Sequence, residues 1–264
     1  MTATAAEGLR RFAFGDLEEG VWGTAWLPSV QGTGVVALAA GAESRSLHAE
    51  LEGSSEGEEW QLEAEGASLI LSPEGQGVAA PQEGGIEGFD QLCRVRGRVR
   101  LDGSERSAEA LGCRGLRAGS IASERFESIR DVTAWFEPDQ GLVLTALRPR
   151  GSRGHDADLV TAAILGGQPA TVGDPRLSTT YTAEGRPARA GLELWSSEDE
   201  EEHEQEAAAG EPPPEERRYP RRASGQAVGP RIELSAEGLH AQAELFRWQS
   251  QGLEGVGVYL LARL

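Results

Sequence analysis

The feature that most constrains this chain is a strict two-residue alternation centred on residue 97. Cys93, Val95, Gly97, Val99 and Leu101 fall on one face, and Arg94, Arg96, Arg98 and Arg100 on the other. That period belongs to a strand with one buried side. Asp102-Gly103 follows, a two-residue hairpin signal because glycine accepts positive φ at no steric cost. A two-residue loop there sets Arg100 opposite Glu105, Arg98 opposite Ser107 and Arg96 opposite Glu109. Opposite charges then meet across the strands, each pair contributing about 0.2–1 kcal/mol. The same register opposes Cys93 to Gly112 and Leu92 to Cys113. The two thiols therefore point to opposite faces and form no bridge.

The pattern recurs along the chain. A second hairpin turns at Glu184-Gly185 and pairs Leu177, Thr179 and Tyr181 with Leu192, Ala190 and Ala188. A third turns at Glu237-Gly238 and pairs Ile232 with Ala243 and Leu234 with Ala241. Val256, Val258 and Leu260 alternate in a last strand, and Trp22, Thr24 and Trp26 in an early one. Residues 34–40, 46–52, 59–65 and 68–72 read as further short strands between Gly, Ser and Pro breaks. Phe126, Ile129, Val132 and Phe136 recur at helical spacing, but the run around Val132-Thr133 is rich in β-branched residues. We read that segment as strand. Agreement between turn chemistry and face pattern makes this an all-β chain.

Composition bounds the rest. No run of about 18 apolar residues occurs, so no membrane-spanning helix is expected. The start lacks a basic stretch followed by an apolar one, so no signal peptide is expected and the reading is cytoplasmic. Net charge is −18, and residues 198–216 hold ten acids and no Lys or Arg, which leaves −8 for everything else. Such a balance repels phosphates and argues against a nucleic-acid partner. Residues 197–216 cannot bury enough apolar surface to order themselves, and we read them as a disordered acidic insertion. There is no Lys and no Asn, a bias that points to a high-GC bacterial genome. Two cysteines, twenty residues apart, make neither a disulfide framework nor a metal motif, and no cofactor is expected.

Two constellations could carry chemistry. Residues 148–158 form the densest polar loop, with Arg148, Arg150, Arg153, His155, Asp156 and Asp158. A His beside an Asp suits a general base with its orienter, and arginines suit a carboxylate. The plainer reading is a solvated loop. Asp131, Trp135 and Arg130 share one strand, and with Tyr181 and Trp248 could line an aromatic-walled cavity. The plainer reading is core packing. Period two sets Trp135 against Val132, Ala134 and Phe136, and Trp248 against Leu245, so these strands need partners on both faces. Gly53-Ser-Ser55-Glu-Gly57 and two loose Gly-x-Gly runs lack the strand–turn–helix context their motifs require.

From Val95 to Gly151 the chain reads Val-Arg-Gly-Arg-Val-Arg-Leu-Asp-Gly, then a variable strand and Gly112-Cys-Arg-Gly-Leu-Arg117. Asp131-Val-Thr-Ala-Trp-Phe136 and Leu144-Thr-Ala-Leu-Arg-Pro149 follow. With Tyr181-Thr-Ala-Glu-Gly-Arg-Pro187 and Glu254-Gly-Val-Gly-Val258, this pattern resembles the two-domain lipocalin-like proteins related to the carotenoid 1,2-hydratases and the AttH-like group. The resemblance implies two packed antiparallel β-barrels or sandwiches with a ligand pocket at or near their interface. That family commonly carries an Asp-His-Ser-Trp-Gly type motif where this chain has Arg114-Gly-Leu-Arg-Ala-Gly119, so no catalytic role carries over.

We therefore expect domains over 1–122 and 123–264. The expected role is binding of a small hydrophobic or amphipathic molecule by Trp135, Asp131, Arg148, His155, Tyr181 and Trp248. The alternative is a hydratase-, isomerase- or cyclase-like enzyme on a terpenoid- or polyketide-like substrate, with His155 and Asp131 moving protons. A third reading is an interaction protein that uses the acidic insertion.

Overall fold

The computed structural model describes residues 8–28, 34–80, 87–118, 125–153, 157–195, 221–236 and 239–264. The first half holds β1 (Gly8–Asp16), β2 (Val21–Pro28), β3 (Gly34–Ala40), β4 (Glu43–Glu52), β5 (Trp60–Ala64), β6 (Ala67–Ala79), β7 (Glu87–Leu101) and β8 (Ser104–Ala118). The second holds β9 (Phe126–Glu137), β10 (Gln140–Pro149), β11 (Leu159–Gly166), β12 (Ala170–Thr171), β13 (Arg176–Tyr181), β14 (Pro187–Leu194), β15 (Arg221–Ala227), β16 (Ile232–Ala236), β17 (Leu239–Ser250) and β18 (Leu253–Arg263). Among the described residues no helix is long and apolar enough to cross a membrane.

Strands β1 to β8 pair in sequence order, and β8 returns to β1, closing an antiparallel barrel. The Asp102-Gly103 hairpin sets its frame. Its register runs from Leu101–Ser104 to Glu87–Ala118 without a slip. Asp102 and Gly103 both take positive φ, 47° and 83°, as a two-residue turn between right-twisted strands demands. The expected charge pairs form, Arg100 to Glu105 at 2.5 Å and Arg96 to Glu109 at 3.6 Å. Cys93 lies inside the barrel and Cys113 on its outer face, both free. Burial pushes the Cys93 thiol up to about 12 and raises Cys113 as well, so both stay protonated and unreactive.

The barrel interior is filled. Phe12, Phe14, Leu38, Trp60, Leu62 and Leu71 form its core. Arg10 and Arg114 reach inward near the loop that follows β4. Arg10 donates to the carbonyls of Leu51 (2.5 Å) and Gly53 (2.9 Å). Arg114 donates to the carbonyls of Glu58 (2.6 Å), Leu71 (3.1 Å) and Glu56, and to the Gln91 amide oxygen (2.8 Å). Its guanidinium stands 4.8 Å from the centre of the Trp60 ring. At the position where the family resemblance sets a polar motif, this chain thus has an arginine that packs the barrel.

The second half is an open sheet in the order β12-β11-β10-β9-β18-β17-β15-β14-β13. It curls into a cup. The edge strand β13 comes over the middle of the sheet, so that the Thr179 and Tyr259 hydroxyls meet at 2.9 Å. Beside the other edge, Gly173 N donates to Trp195 O at 3.0 Å. Strand β16 leaves this path: it pairs with β17 in the expected register. It also packs on the barrel, where Ser46 donates to the Glu233 carbonyl. Residues 237 and 238, the expected turn, lie outside the described residues, as does the acidic segment 197–216.

The Glu184-Gly185 hairpin needs one correction. Leu177–Leu192 and Thr179–Ala190 pair as expected, but Tyr181 pairs with Pro187 and not with Ala188. The loop holds three residues, not two. Gly185 N donates to Thr182 O at 3.0 Å, and Gly185 takes φ +74°. The three-residue loop offsets the register by one at its base, and a bulge at Ala188, unpaired between Pro187 and Arg189, returns it to the expected one beyond. The ambiguous segment is strand β9, as the β-branched residues implied.

Candidate functional site

Alternation along β9 decides which side chains go where. Ile129 and Trp135 join the apolar junction with the barrel, and Asp131 shares their face. Val132 and Ala134 face into the cup, and Ser128 and Arg130 share their parity. At the cup's mouth Ser128 pairs on one side with Arg263 of β18 and on the other with Arg148 of β10. Adjacent strands lie about 4.8 Å apart, so the two arginine backbones stand about 10 Å from each other across a serine. One step deeper, Arg130 pairs with Asp158, both almost fully buried. Arg148 Nε lies 3.4 Å from Asp158 and 3.7 Å from Glu127.

Tyr181 completes the mouth from β13. It lines a cavity of about 490 Å³ with Arg130, Arg148, Leu261 and Arg263, within the usual range for a small-molecule site. Tyr259 lies beneath, fully buried. Burial, then the neighbouring Tyr181, pushes its phenol well above the usual range. It therefore stays a neutral donor at any physiological pH. The Glu184-Gly185 turn borders the cavity and is tied down at Arg186, which donates to both oxygens of the buried Glu244, at 2.8 and 2.9 Å. Leu261 is the apolar wall of this cavity; it is partly open, as are Val160 and Leu177 elsewhere on the cup core.

The cup floor is closed by aromatic rings. Phe246 stacks on Trp248 at 5.7 Å and on Tyr259 at 5.4 Å. Trp248 lies over Gly225, where an added Cβ would come within 2.8 Å of the indole. The indole N–H of Trp248 is buried and finds no partner among the described residues.

The structure separates the residues expected to act together. Arg148 and Tyr181 meet at the mouth. Trp248 is on the cup floor. Trp135 faces the barrel and lines a cleft of about 630 Å³ with the Gly15–Glu18 turn region, Arg247 and Glu254. Asp131 is taken up by the junction: Arg11 and the Thr145 hydroxyl (2.9 Å) both donate to it. Arg11 also donates to Asp90 at 2.6 Å, and Arg117 to the other Asp90 oxygen at 2.7 Å. Burial opposes ionisation of Asp90, but the two guanidiniums outweigh it and its carboxyl lies below the usual range. His155 lies outside the described residues.

A larger groove, about 790 Å³, runs along β13, β14 and β15 beside the Gln251-Gly252 turn. Its charges are exposed; Arg222 pairs with Glu193 and Arg176 with Asp174, while Glu254 at the far end is in neither pair. Buried charges paired beside an open cavity favour the mouth. Among the described residues no group of three His, Cys, Asp or Glu is placed to hold a metal.

Sequence reasoning missed Ser128, Tyr259, Leu261 and Arg263. A signal was present: Tyr259, Leu261 and Arg263 recur at every second position, opposite the apolar Val256, Val258 and Leu260.

No protein-family profile and no curated protein matches the chain in sequence. Solved structures match in fold. CghA with Sch210972 superposes with a TM-score of 0.64 at 11% identity, covering 98% of this chain and 88% of that one. A protein assigned as AttH from Nitrosomonas europaea gives 0.65 at 10% identity, covering 98% and 92%. Kievitone hydratase from Nectria haematococca gives 0.60 at 9% identity, covering 98% and 89%. The chain has the two-unit lipocalin-like fold. The resemblance expected from its strand and turn pattern is met in these structures, at identities that speak for fold alone.

Proposed function

We propose that the cup binds a small amphipathic molecule at its mouth and converts it by hydratase- or cyclase-like chemistry on a terpenoid- or polyketide-like skeleton. The observation that carries this reading is the hydroxyl cluster Thr179–Tyr259–Tyr181 at the edge of a cavity that also holds buried Arg130. Phenol hydroxyls and a guanidinium directed at one point stabilise negative charge as it develops on a carbonyl oxygen. Conjugate addition to an enone passes through such charge, whether the nucleophile is water, which gives a hydrated product, or a group of the same molecule, which closes a ring. Kievitone hydratase, a fold relative, is named for water addition, which supports the same class by analogy.

The test is to incubate the purified protein with a panel of enone-containing terpenoids and polyketides and follow products by mass spectrometry. Gain of one water, or an isomer of unchanged mass, is expected from the wild type. Tyr181→Phe should lose about 10²-fold or more in kcat, the scale of one oxyanion donor, while still binding.

A second reading is carriage of the same molecule without conversion. It is favoured by Asp158 and Glu244, the buried carboxylates nearest the cavity, being ion-paired, so that neither stands ready as a general base. Recovery of every bound compound unchanged would select it.

A further inference from the structure

Resting on the reading of the cup as a small-molecule site, we propose that its mouth recognises the carboxylate of an amphipathic acid, through Arg148 and Arg263 with Ser128 between them. Three observations carry this. The first is geometric. Arg263, Ser128 and Arg148 form one rung across β18, β9 and β10 with side chains on the cup face. Two forked donors about 10 Å apart at the backbone, separated by a small hydroxyl residue, leave room for a planar two-oxygen anion between them.

The second is electrostatic. The protein carries −18 overall, so a long-range field repels anions. The cavity is lined by three guanidiniums, Arg130, Arg148 and Arg263, and one carboxylate, Glu127. Asp158 stands behind and pairs with Arg130 and Arg148. With Glu184 on the bordering turn, three positive charges meet three negative ones among the described residues, so the sum is even and the local preference for an anion rests on Arg263. Arg263 has no ion-pair partner among the described residues. The Arg186–Glu244 pair at the rim is balanced and adds nothing to this sum.

The third is the layering beneath the rung. Leu261 lines the cavity as a partly open apolar wall with Val160 on the same face of the sheet, and below them the cup core is apolar and aromatic. A polar rim over an apolar wall suits a molecule with one charged end and an apolar body.

The experiment is calorimetric titration of the full chain with dodecanoate and, separately, with dodecanol. The acid should bind at least about tenfold more tightly, the effect of one charged hydrogen bond. Arg263→Ala should bring the acid down to the alcohol's affinity, and Arg263→Lys should restore part of the difference. The acid's advantage should also shrink as salt is raised. Equal binding of acid and alcohol, with Arg263→Ala unchanged, overturns carboxylate recognition while leaving the cup a small-molecule site. Binding of neither compound at solubility overturns both. Arg263 is exposed, and an unchanged thermal midpoint of the variants excludes loss of fold as the cause.

Discussion

The barrel's eight strands end where they began, with β8 on β1, whereas the second sheet runs out at β12 and β13 without closing. Both are built from the same half-buried hairpins, so the difference lies in what the interiors hold. Closure leaves the barrel no open edges, and its lumen is filled by Trp60, its aromatic and leucine neighbours and the inward arginines. The cup is floored by Phe246, Trp248 and Tyr259 but stays open at one end. There its charged groups sit beside space. In the barrel, Arg114 is consumed by backbone carbonyls. At the cup, Arg263 is not. A small closed barrel packed in this way offers stability, and the incompletely closed partner offers a site.

The largest expected effect breaks the barrel. Trp60 is fully buried, and Trp60→Ala should cost about 3–5 kcal/mol in denaturant unfolding. It also removes the ring beneath Arg114. A loss below 1 kcal/mol would mean the lumen is loosely filled, and the contrast with the cup would weaken.

Next comes the junction. Asp90→Asn removes one carboxylate from the Arg11–Asp90–Arg117–Asp131 group. It should cost about 3 kcal/mol at neutral pH, the lower end for breaking a buried pair because Arg11 keeps Asp131. The pH dependence sharpens the assignment. Asp90 titrates below its unfolded value of about 3.9 because Arg11 and Arg117 outweigh burial. Its contribution is therefore present above about pH 3.9 and lost as pH falls through the lower folded value. The gap between wild type and Asp90→Asn should be widest at neutral pH and narrow below about pH 4. A gap independent of pH would assign the loss to packing instead.

The smallest effect tests the surface. Arg100→Ala removes the 2.5 Å pair with Glu105. Both groups face water, where such pairs contribute little. The unfolding midpoint should stay within error of the wild type, in contrast to the same chemistry buried at Asp90.

Much of the fold was legible because alternation and turn chemistry are local. The Asp102-Gly103 register followed from two residues with positive φ and three facing positions. The opposed thiols of Cys93 and Cys113 followed from parity alone. The Glu184-Gly185 register was off by one at Tyr181, since the glycine of a three-residue loop and that of a two-residue loop look the same in sequence. The site was less legible. Arg148 and Tyr181 lie far apart along the chain, and they meet only because β13 curls over β18. Asp131 and Arg130 are neighbours in sequence, yet one faces the barrel and the other the cup.

By itself, then, the chain determined which residues alternate, where it turns and which side chains share a face, because these depend on two to ten neighbouring residues. Only the tertiary structure decided which face meets the barrel and which encloses a cavity. Closure and curl are properties of the whole sheet. An arginine becomes filler, as Arg114 does, or a binding group, as proposed for Arg263, according to the space that closure leaves beside it.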